Sequence, residues 1–102
     1  LLEKAGLPAR IMIDCSHANS RKRTDRQIDV CRNVATQIAR GDNRIFGLML
    51  ESHLLEGRQD VVAGQPLTYG QSITDACMGW DITATLLHEL ADAVKQRRKL
   101  NH

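Results

Sequence analysis

Two short apolar runs, separated by a stretch with helical periodicity, constrain the fold of this chain more than any other feature. The first run covers residues 11–13 (IMI) and the second covers residues 45–50 (IFGLML). Runs of this length are typical of strands that are buried on both faces of a parallel sheet. Strands that alternate with helices form parallel sheets with right-handed crossovers. The sequence therefore predicts an α/β fold built on a parallel sheet.

The helix between these runs has a predicted start and a predicted end. Thr24 and Gln27 have the spacing of a capping box, and Gly41 supplies a stop. Between them, apolar residues recur at helical spacing, namely Ile28, Cys31, Val34, Ala35 and Ile38.

A second helix is predicted near the end of the chain, with Asp81 as its N-cap. Its apolar face consists of Leu86, Leu87, Leu90 and Val94. Its last turn holds cations, which the helix dipole favours there, namely Arg97, Arg98 and Lys99.

The stretch between the second run and this helix lacks a clear period. Residues 52–71 contain three glycines and a proline, which predicts a long loop of the kind that often carries function. Residues 72–74 (SIT) predict a short third strand, and residues 1–6 are typical of the last turn of a helix with a glycine stop. Three strands with two helices cannot cover both faces of a parallel sheet or close a barrel. We therefore expect residues 1–102 to be part of a larger domain.

Composition limits the classes of function that need to be considered. The net charge is only +2, which does not favour a nucleic-acid or membrane-surface protein. No apolar stretch approaches the roughly 20 residues that span a bilayer. The three cysteines have no CxxC spacing, which favours reduced thiols over a disulfide framework. We expect a cytoplasmic protein with neither nucleic acid nor membrane as its partner.

Each predicted strand is followed by a side chain that can bind a metal ion. His17 follows the first strand, Glu51 the second and Asp75 the third. Because parallel strands end on the same side of a sheet, where α/β folds build their sites, these side chains can converge. One imidazole and two carboxylates suit Mn²⁺, Fe²⁺, Co²⁺ or Zn²⁺ better than Ca²⁺. The same spacing also fits helix caps and solvated loop residues.

The strings around these residues resemble the microbial, aromatic-amino-acid-regulated 3-deoxy-D-arabino-heptulosonate 7-phosphate (DAHP) synthases. They are IMIDCSHANS at residues 11–20, GLMLESHL at residues 47–54 and YGQSITDACMGW at residues 69–80. The similarity extends over roughly residues 5 to 98, with the three strings in the same order. The resemblance implies a (β/α)8 TIM barrel, to which this chain would contribute the sixth, seventh and eighth strands as a C-terminal fragment.

The resemblance also implies a reaction and a set of ligands. These synthases condense phosphoenolpyruvate with erythrose 4-phosphate and water, releasing phosphate, in the first step of the shikimate pathway to aromatic amino acids. His17, Glu51 and Asp75 fall on the family's histidine, glutamate and aspartate ligands, and their catalytic role is exerted through a divalent metal ion. The family's cysteine ligand and its phosphate-binding lysines and arginines have no counterpart here. We expect a homo-oligomeric parent enzyme and an inactive isolated chain.

Several other side chains have a structural interpretation beside a functional one. Cys15 is expected to be a small buried residue rather than the thiolate ligand, and Cys31 and Cys77 are expected to pack. His53 either supports Glu51 from outside the ligand set or, as we expect, makes a loop hydrogen bond.

The basic cluster at residues 21–23 with Arg26 fits a solvated loop and helical turn better than a phosphate or nucleic-acid patch. Asn19 and Ser20 lie close enough to His17 in sequence to help shape the site. Trp80 is expected to pack at the start of the last helix.

Two other functions remain open at this point. A related synthase that makes an eight-carbon sugar acid from arabinose 5-phosphate fits the three strings less well. A non-enzymatic α/β metal-binding or interaction module would retain the same residues as structure. Apolar faces and a strand edge left uncovered also predict self-association, swapping of elements or loose folding of the isolated chain.

Overall fold

The computed structural model describes residues 4–17 and 23–101, which form two strands and two helices. In chain order these are β1 (Ile11–Asp14), α1 (Thr24–Ala39), β2 (Ile45–Met49) and α2 (Trp80–Leu100). β1 and β2 pair in parallel, with Ile13 opposite Leu48 and Asp14 opposite Met49. The α/β class and the parallel pairing are therefore confirmed.

The hydrophobic core joins both helices to the two strands. Its most buried members include three residues of α1, two of α2 and one of β2, namely Cys31, Val34, Ile38, Leu86, Ala93 and Ile45. Cys15, just after β1, and Met78, just before α2, complete it. Burying a side chain of this size contributes about 1.5–3 kcal/mol, so this cluster holds α1 and α2 against the sheet.

The start of α1 differs from the predicted capping box. Arg23 occupies the N-cap position and Thr24 lies inside the first turn, where its hydroxyl donates to Glu56 Oε1 at 3.1 Å. Gln27 is buried and its side chain bonds the backbone of another segment, so it is not free to fold back on the helix terminus. The predicted stop is confirmed, because Gly41 has φ of +103°.

The second helix also begins earlier than predicted, by two residues. Gly79 is the N-cap, and Asp81 lies in the first turn, where its charge meets the positive end of the helix dipole without capping it. The Thr83 hydroxyl donates to the Gly79 carbonyl at 2.8 Å. Leu86 is buried as predicted, whereas Leu87 is 49% exposed and the prediction for it is wrong.

The predicted third strand at residues 72–74 does not form. Ser72 makes a single bridge to Arg58, and Ile73 is half exposed, so pairing these residues into a ladder would bury little apolar surface. Within the residues described, the sheet has two strands instead of three.

The apolar composition of the two strands predicted burial on both faces, but within the described residues the strands are not covered on both sides. Phe46 is 66% exposed and Met12 is 56% exposed. The radius of gyration is 16.6 Å, whereas a compact domain of 100 residues has a value of about 13 Å. Residues 1–3 of the predicted helix end lie outside the described residues, and Gly6 has φ of +74° in the turn that follows them. The described residues thus leave apolar strand surface open to solvent.

Candidate metal centre

Three side chains that are far apart in the sequence meet beyond the carboxyl ends of β1 and β2. The Nε2 atom of His17 lies 3.5 Å from Glu51 Oε1 and 3.6 Å from Asp75 Oδ2. One ligand atom from each residue lies within 4.8 Å of the other two. The structure therefore brings together all three residues that the strand ends predicted, and their binding of a metal ion stays a prediction.

The spacing of these atoms suits a single cation. Nitrogen and oxygen ligands bound at about 2.0–2.2 Å in tetrahedral geometry lie roughly 3.5 Å from one another. The side chains are 25–46% exposed, so a hydrated ion and a substrate can reach them from solvent. Two carboxylates and one neutral imidazole carry a charge of −2, which matches a divalent ion.

Asp14, the last residue of β1, orients the imidazole. Its Oδ2 atom lies 2.6 Å from His17 Nδ1. The other oxygen, Oδ1, accepts hydrogen bonds from the Ser16 hydroxyl and from the Ser16 amide, the latter at 2.8 Å. An ionised carboxylate only accepts, so Nδ1 carries a hydrogen, and Nε2, which faces Glu51 and Asp75, is the nitrogen left to bind a metal ion.

The same contacts determine how these groups hold protons. The hydrogen bonds from Ser16 and then His17 lower the pKa of Asp14 far below its usual range. The hydrogen bond to Asp14 and its charge raise the pKa of His17, and the charges of Glu51 and Asp75 add to this. A more basic imidazole is a stronger ligand, and its proton leaves when a metal ion binds.

Glu51 follows β2 by two residues and is held through its backbone. Its amide donates to Gln27 Oε1 at 2.6 Å, and its carbonyl accepts from Gln27 Nε2 at 3.2 Å. The Met78 amide donates to the same carbonyl at 3.0 Å. The peptide that carries the Glu51 carboxylate is therefore tied both to α1 and to the segment after Asp75.

Asp75 is held by irregular structure. The Arg58 Nε donates to the Thr74 carbonyl at 2.8 Å, and the Thr74 amide donates to the Ser72 hydroxyl at 3.1 Å. These bonds occupy the place of the predicted strand ladder. Asp75 is therefore positioned by loop hydrogen bonds, whereas His17 and Glu51 each follow a strand of the sheet.

The cysteines are not part of the ligand group found among the described residues. Cys15 and Cys31 are buried in the core, as predicted. The contact with Cys31 and the burial raise the pKa of the Cys15 thiol, which keeps it protonated and a poor ligand. Cys77 is half-buried and donates to the Asp75 carbonyl at 3.5 Å, and burial raises its pKa too.

The remaining predicted residues contribute less. His53 Nδ1 accepts a hydrogen bond from the Leu54 amide at 2.8 Å, which is the loop role that we expected. Trp80 begins α2 and is half exposed. Arg23 pairs with Asp25 at 3.0 Å at the surface. The other members of the basic cluster in the loop, and both Asn19 and Ser20, lie outside the described residues.

Two residues that position the ligands, Asp14 and Gln27, were not predicted to do so from the sequence. A signal was present for each of them. Asp14 precedes His17 by three residues at the end of a strand, a spacing that lets a carboxylate meet the ring. Gln27 shares the buried stripe of α1 with Cys31, Val34 and Ile38, and a polar residue on such a stripe needs a partner.

Comparison with known proteins identifies the family. The model of the DAHP synthetase I family matches residues 1–88 of the chain. The chain belongs to this family. The Phe-sensitive phospho-2-dehydro-3-deoxyheptonate aldolase of Escherichia coli K12 is 60% identical over 97 residues, which cover 95% of this chain and 28% of that protein. The tyrosine-inhibited enzyme of Schizosaccharomyces pombe is 53% identical over 96% of this chain and 27% of its own length.

A solved structure in the same family has a similar fold. The phospho-2-dehydro-3-deoxyheptonate aldolase of Francisella tularensis SCHU S4 superposes with a TM-score of 0.87 and 47% sequence identity, over 94% of this chain and 28% of that one. The chain thus spans a little more than a quarter of the length of these DAHP synthetase I relatives. None of the helices in residues 4–17 and 23–101 has the length and hydropathy to cross a membrane.

Proposed function

We propose that this chain supplies three metal ligands of a synthase that condenses phosphoenolpyruvate with erythrose 4-phosphate to give DAHP and phosphate. The observation that carries the proposal is the approach of His17 Nε2 to Glu51 Oε1 and Asp75 Oδ2, at 3.5 Å and 3.6 Å. Membership of the DAHP synthetase I family supports the choice of reaction.

Each residue of the site has a separate task in this proposal. Asp14 keeps the hydrogen on Nδ1 of His17, so that Nε2 is available as a ligand. Glu51 and Asp75 supply two negative charges that compensate a divalent ion. Mn²⁺, Fe²⁺, Co²⁺ and Zn²⁺ all accept this nitrogen and oxygen set. When bound, the ion supplies Lewis acidity that polarises the aldehyde of erythrose 4-phosphate for attack by C3 of phosphoenolpyruvate.

We further propose that the chain is a C-terminal part of a (β/α)8 barrel, in which β1 and β2 are the sixth and seventh strands and α2 is the last helix. The parallel pairing of β1 and β2, the solvent-exposed Met12 and Phe46, and the extended shape support this arrangement. The side chains of the site lie beyond the carboxyl ends of the strands, which is where such barrels carry out their chemistry. Alone, the chain lacks the family's phosphate-binding residues, so we expect it to be inactive, and we expect its parent enzyme to be a homo-oligomer.

A hybrid enzyme tests this function. This chain would replace the matching stretch of the Escherichia coli relative, and phosphate release would be followed after chelator treatment and addition of Mn²⁺. We expect the hybrid to turn over both substrates. His17→Ala or Glu51→Ala should lower kcat by at least about 100-fold, because removing a ligand forfeits several kcal/mol of Lewis-acid stabilisation.

His88→Ala is the matched control, because His88 is an exposed imidazole on α2 that is not among the clustered ligands. It should leave kcat unchanged. Full activity of the His17→Ala hybrid without metal would contradict the proposal. A folded hybrid that binds metal but catalyses nothing would favour the non-enzymatic module.

A further inference from the structure

We propose that Gln27 is a positioning residue for Glu51, and that its side-chain amide determines how tightly and in what geometry the site binds its metal ion. This inference rests on the proposed function, since it concerns the same ligand set. Gln27 itself is too deep in the structure to be a ligand, because it is only 2% exposed and its amide is already occupied by the Glu51 backbone.

The contact is a two-point clamp on one residue. Gln27 Oε1 accepts the hydrogen of the Glu51 amide at 2.6 Å, and Gln27 Nε2 donates to the Glu51 carbonyl at 3.2 Å. Two such bonds fix both the position of the Glu51 backbone and its rotation. The Glu51 side chain extends from the α-carbon between the backbone amide and carbonyl groups. The orientation of the backbone therefore determines the direction of the carboxylate.

The clamp acts where the sheet has stopped. β2 ends at Met49, two residues before Glu51. The Gln27 amide has the same donor and acceptor pair as a peptide group, and it takes the place that a neighbouring strand would have. Since the Met78 amide also bonds the Glu51 carbonyl, at 3.0 Å, the clamp connects α1 to the segment that carries Asp75.

The position of Gln27 on α1 supports a role beyond packing. The other buried residues of this face are Cys31, Val34 and Ile38, which are all apolar. An apolar side chain at position 27 could fill the same volume, but it would take these two hydrogen-bond partners away from the Glu51 backbone. Only the Gln27 amide provides the two hydrogen bonds to the Glu51 backbone.

Titration of this chain with Co²⁺, followed by its visible absorption bands, tests the inference. Those bands report coordination geometry as well as affinity. Gln27→Met keeps the volume of the side chain and removes both hydrogen bonds. We expect its Kd for Co²⁺ to rise about 10- to 100-fold, the usual effect of losing a residue that orients a ligand, and its bands to shift.

Val34→Ala is the matched control for stability. Val34 lies on the same buried face of α1, and its truncation weakens the helix contact without touching Glu51. It should lower Tm and leave the Kd and the absorption bands as they are. If Gln27→Met fails to fold by circular dichroism, Gln27→Asn replaces it, since that side chain keeps the amide but is too short to reach both backbone groups.

The outcomes separate this inference from the proposed function. Equal Kd values and identical bands for the unsubstituted and Gln27→Met chains would overturn the role of Gln27 and leave the metal site standing. Co²⁺ binding by the unsubstituted chain that is no tighter than that of His17→Ala would overturn both. A Val34→Ala chain that loses affinity as much as Gln27→Met would reduce Gln27 to a packing residue.

Discussion

Two regions of this molecule carry the ligands, and they are held together by different forces. The βαβ unit (residues 11–49), with the turn that follows each of its strands, brings His17 and Glu51 to the site through a buried apolar core. The irregular segment (residues 52–79) brings Asp75 through hydrogen bonds between side chains and backbone. A site built from both depends on two kinds of structure that respond differently to substitution.

The irregular segment shows this difference most clearly around Gln59. Its Nε2 donates to the Thr68 carbonyl at 2.7 Å and to the Gln71 carbonyl at 3.0 Å, and its Oε1 accepts from the Thr68 amide at 2.8 Å. Apart from Met78, which belongs to the core, the large apolar residues of this segment are about half or more exposed, namely Leu54, Leu55, Val61, Val62, Leu67, Tyr69 and Ile73. Little apolar surface of this segment is buried, so hydrogen bonds within the segment provide most of its stability.

Truncating matched isoleucines should give the largest contrast between the two regions. Ile45 is buried in β2, and Ile45→Ala should cost about 2–5 kcal/mol through lost burial and a cavity. Ile73 is half exposed, and Ile73→Ala should stay within about 0.5 kcal/mol. Urea unfolding of both variants measures the two values. Similar costs would show that the irregular segment has a core of its own.

Alanine at two glycines measures how closely the irregular segment is packed. Gly64 and Gly70 have φ of +80° and +82°, so alanine at either position costs about 1–3 kcal/mol of backbone strain. A Cβ at Gly70 would also lie 2.9 Å from Leu54 Cβ, whereas nothing lies within 4 Å of a Cβ at Gly64. Gly70→Ala should therefore be the less stable variant in urea unfolding. Equal stability would mean that Leu54 moves aside freely.

Removing the Gln59 amide should open the irregular segment without unfolding the molecule. Each hydrogen bond of this kind contributes about 1 kcal/mol, so Gln59→Leu should speed hydrogen exchange of the Thr68 amide by about tenfold or more. Amides in α1 should exchange as before, since the core is untouched. Faster exchange throughout α1 would contradict the independence of the two regions.

Acid should produce a small effect that is confined to the βαβ unit. Hydrogen bonds from Arg44 lower the pKa of Asp42 from 3.8 to about 2. Because the folded pKa is the lower one, the stability that this carboxylate contributes is present above pH 3.8 and is lost as the pH falls toward 2. Asp42→Asn should make the fall in Tm over that range smaller, and Asp14, whose pKa is also lowered, accounts for part of the fall that remains. Asp60→Asn, which removes an exposed ion pair with Arg58, is the control for the loss of a surface pair and should change Tm at neutral pH very little.

The sequence predicted the burial-dependent part of the fold better than the rest. The apolar runs and the helical spacing of Cys31, Val34 and Ile38 located β1, β2 and α1, because burial imposes a period on the sequence. The third strand at residues 72–74 and the caps at Thr24 and Asp81 were wrong, because hydrogen-bond partners from distant segments decide such details. Thr24 bonds Glu56, and Arg58 bonds the Thr74 carbonyl.

The candidate site shows the same division. The meeting of His17, Glu51 and Asp75 was predicted from strand ends and from a family resemblance, and it occurs even though Asp75 does not follow a strand. The supporting roles of Asp14 and Gln27 were missed, because the spacing of Asp14 and the buried position of Gln27 indicate that each needs a partner but not which group that partner is.

The most direct test of the central claim is the anomalous scattering of a crystal of this protein soaked in Mn²⁺. We expect a Mn²⁺ peak at about 2.0–2.3 Å from each of His17 Nε2, Glu51 Oε1 and Asp75 Oδ2. A Mn²⁺ peak bound elsewhere, with these three side chains turned away from one another, would contradict it.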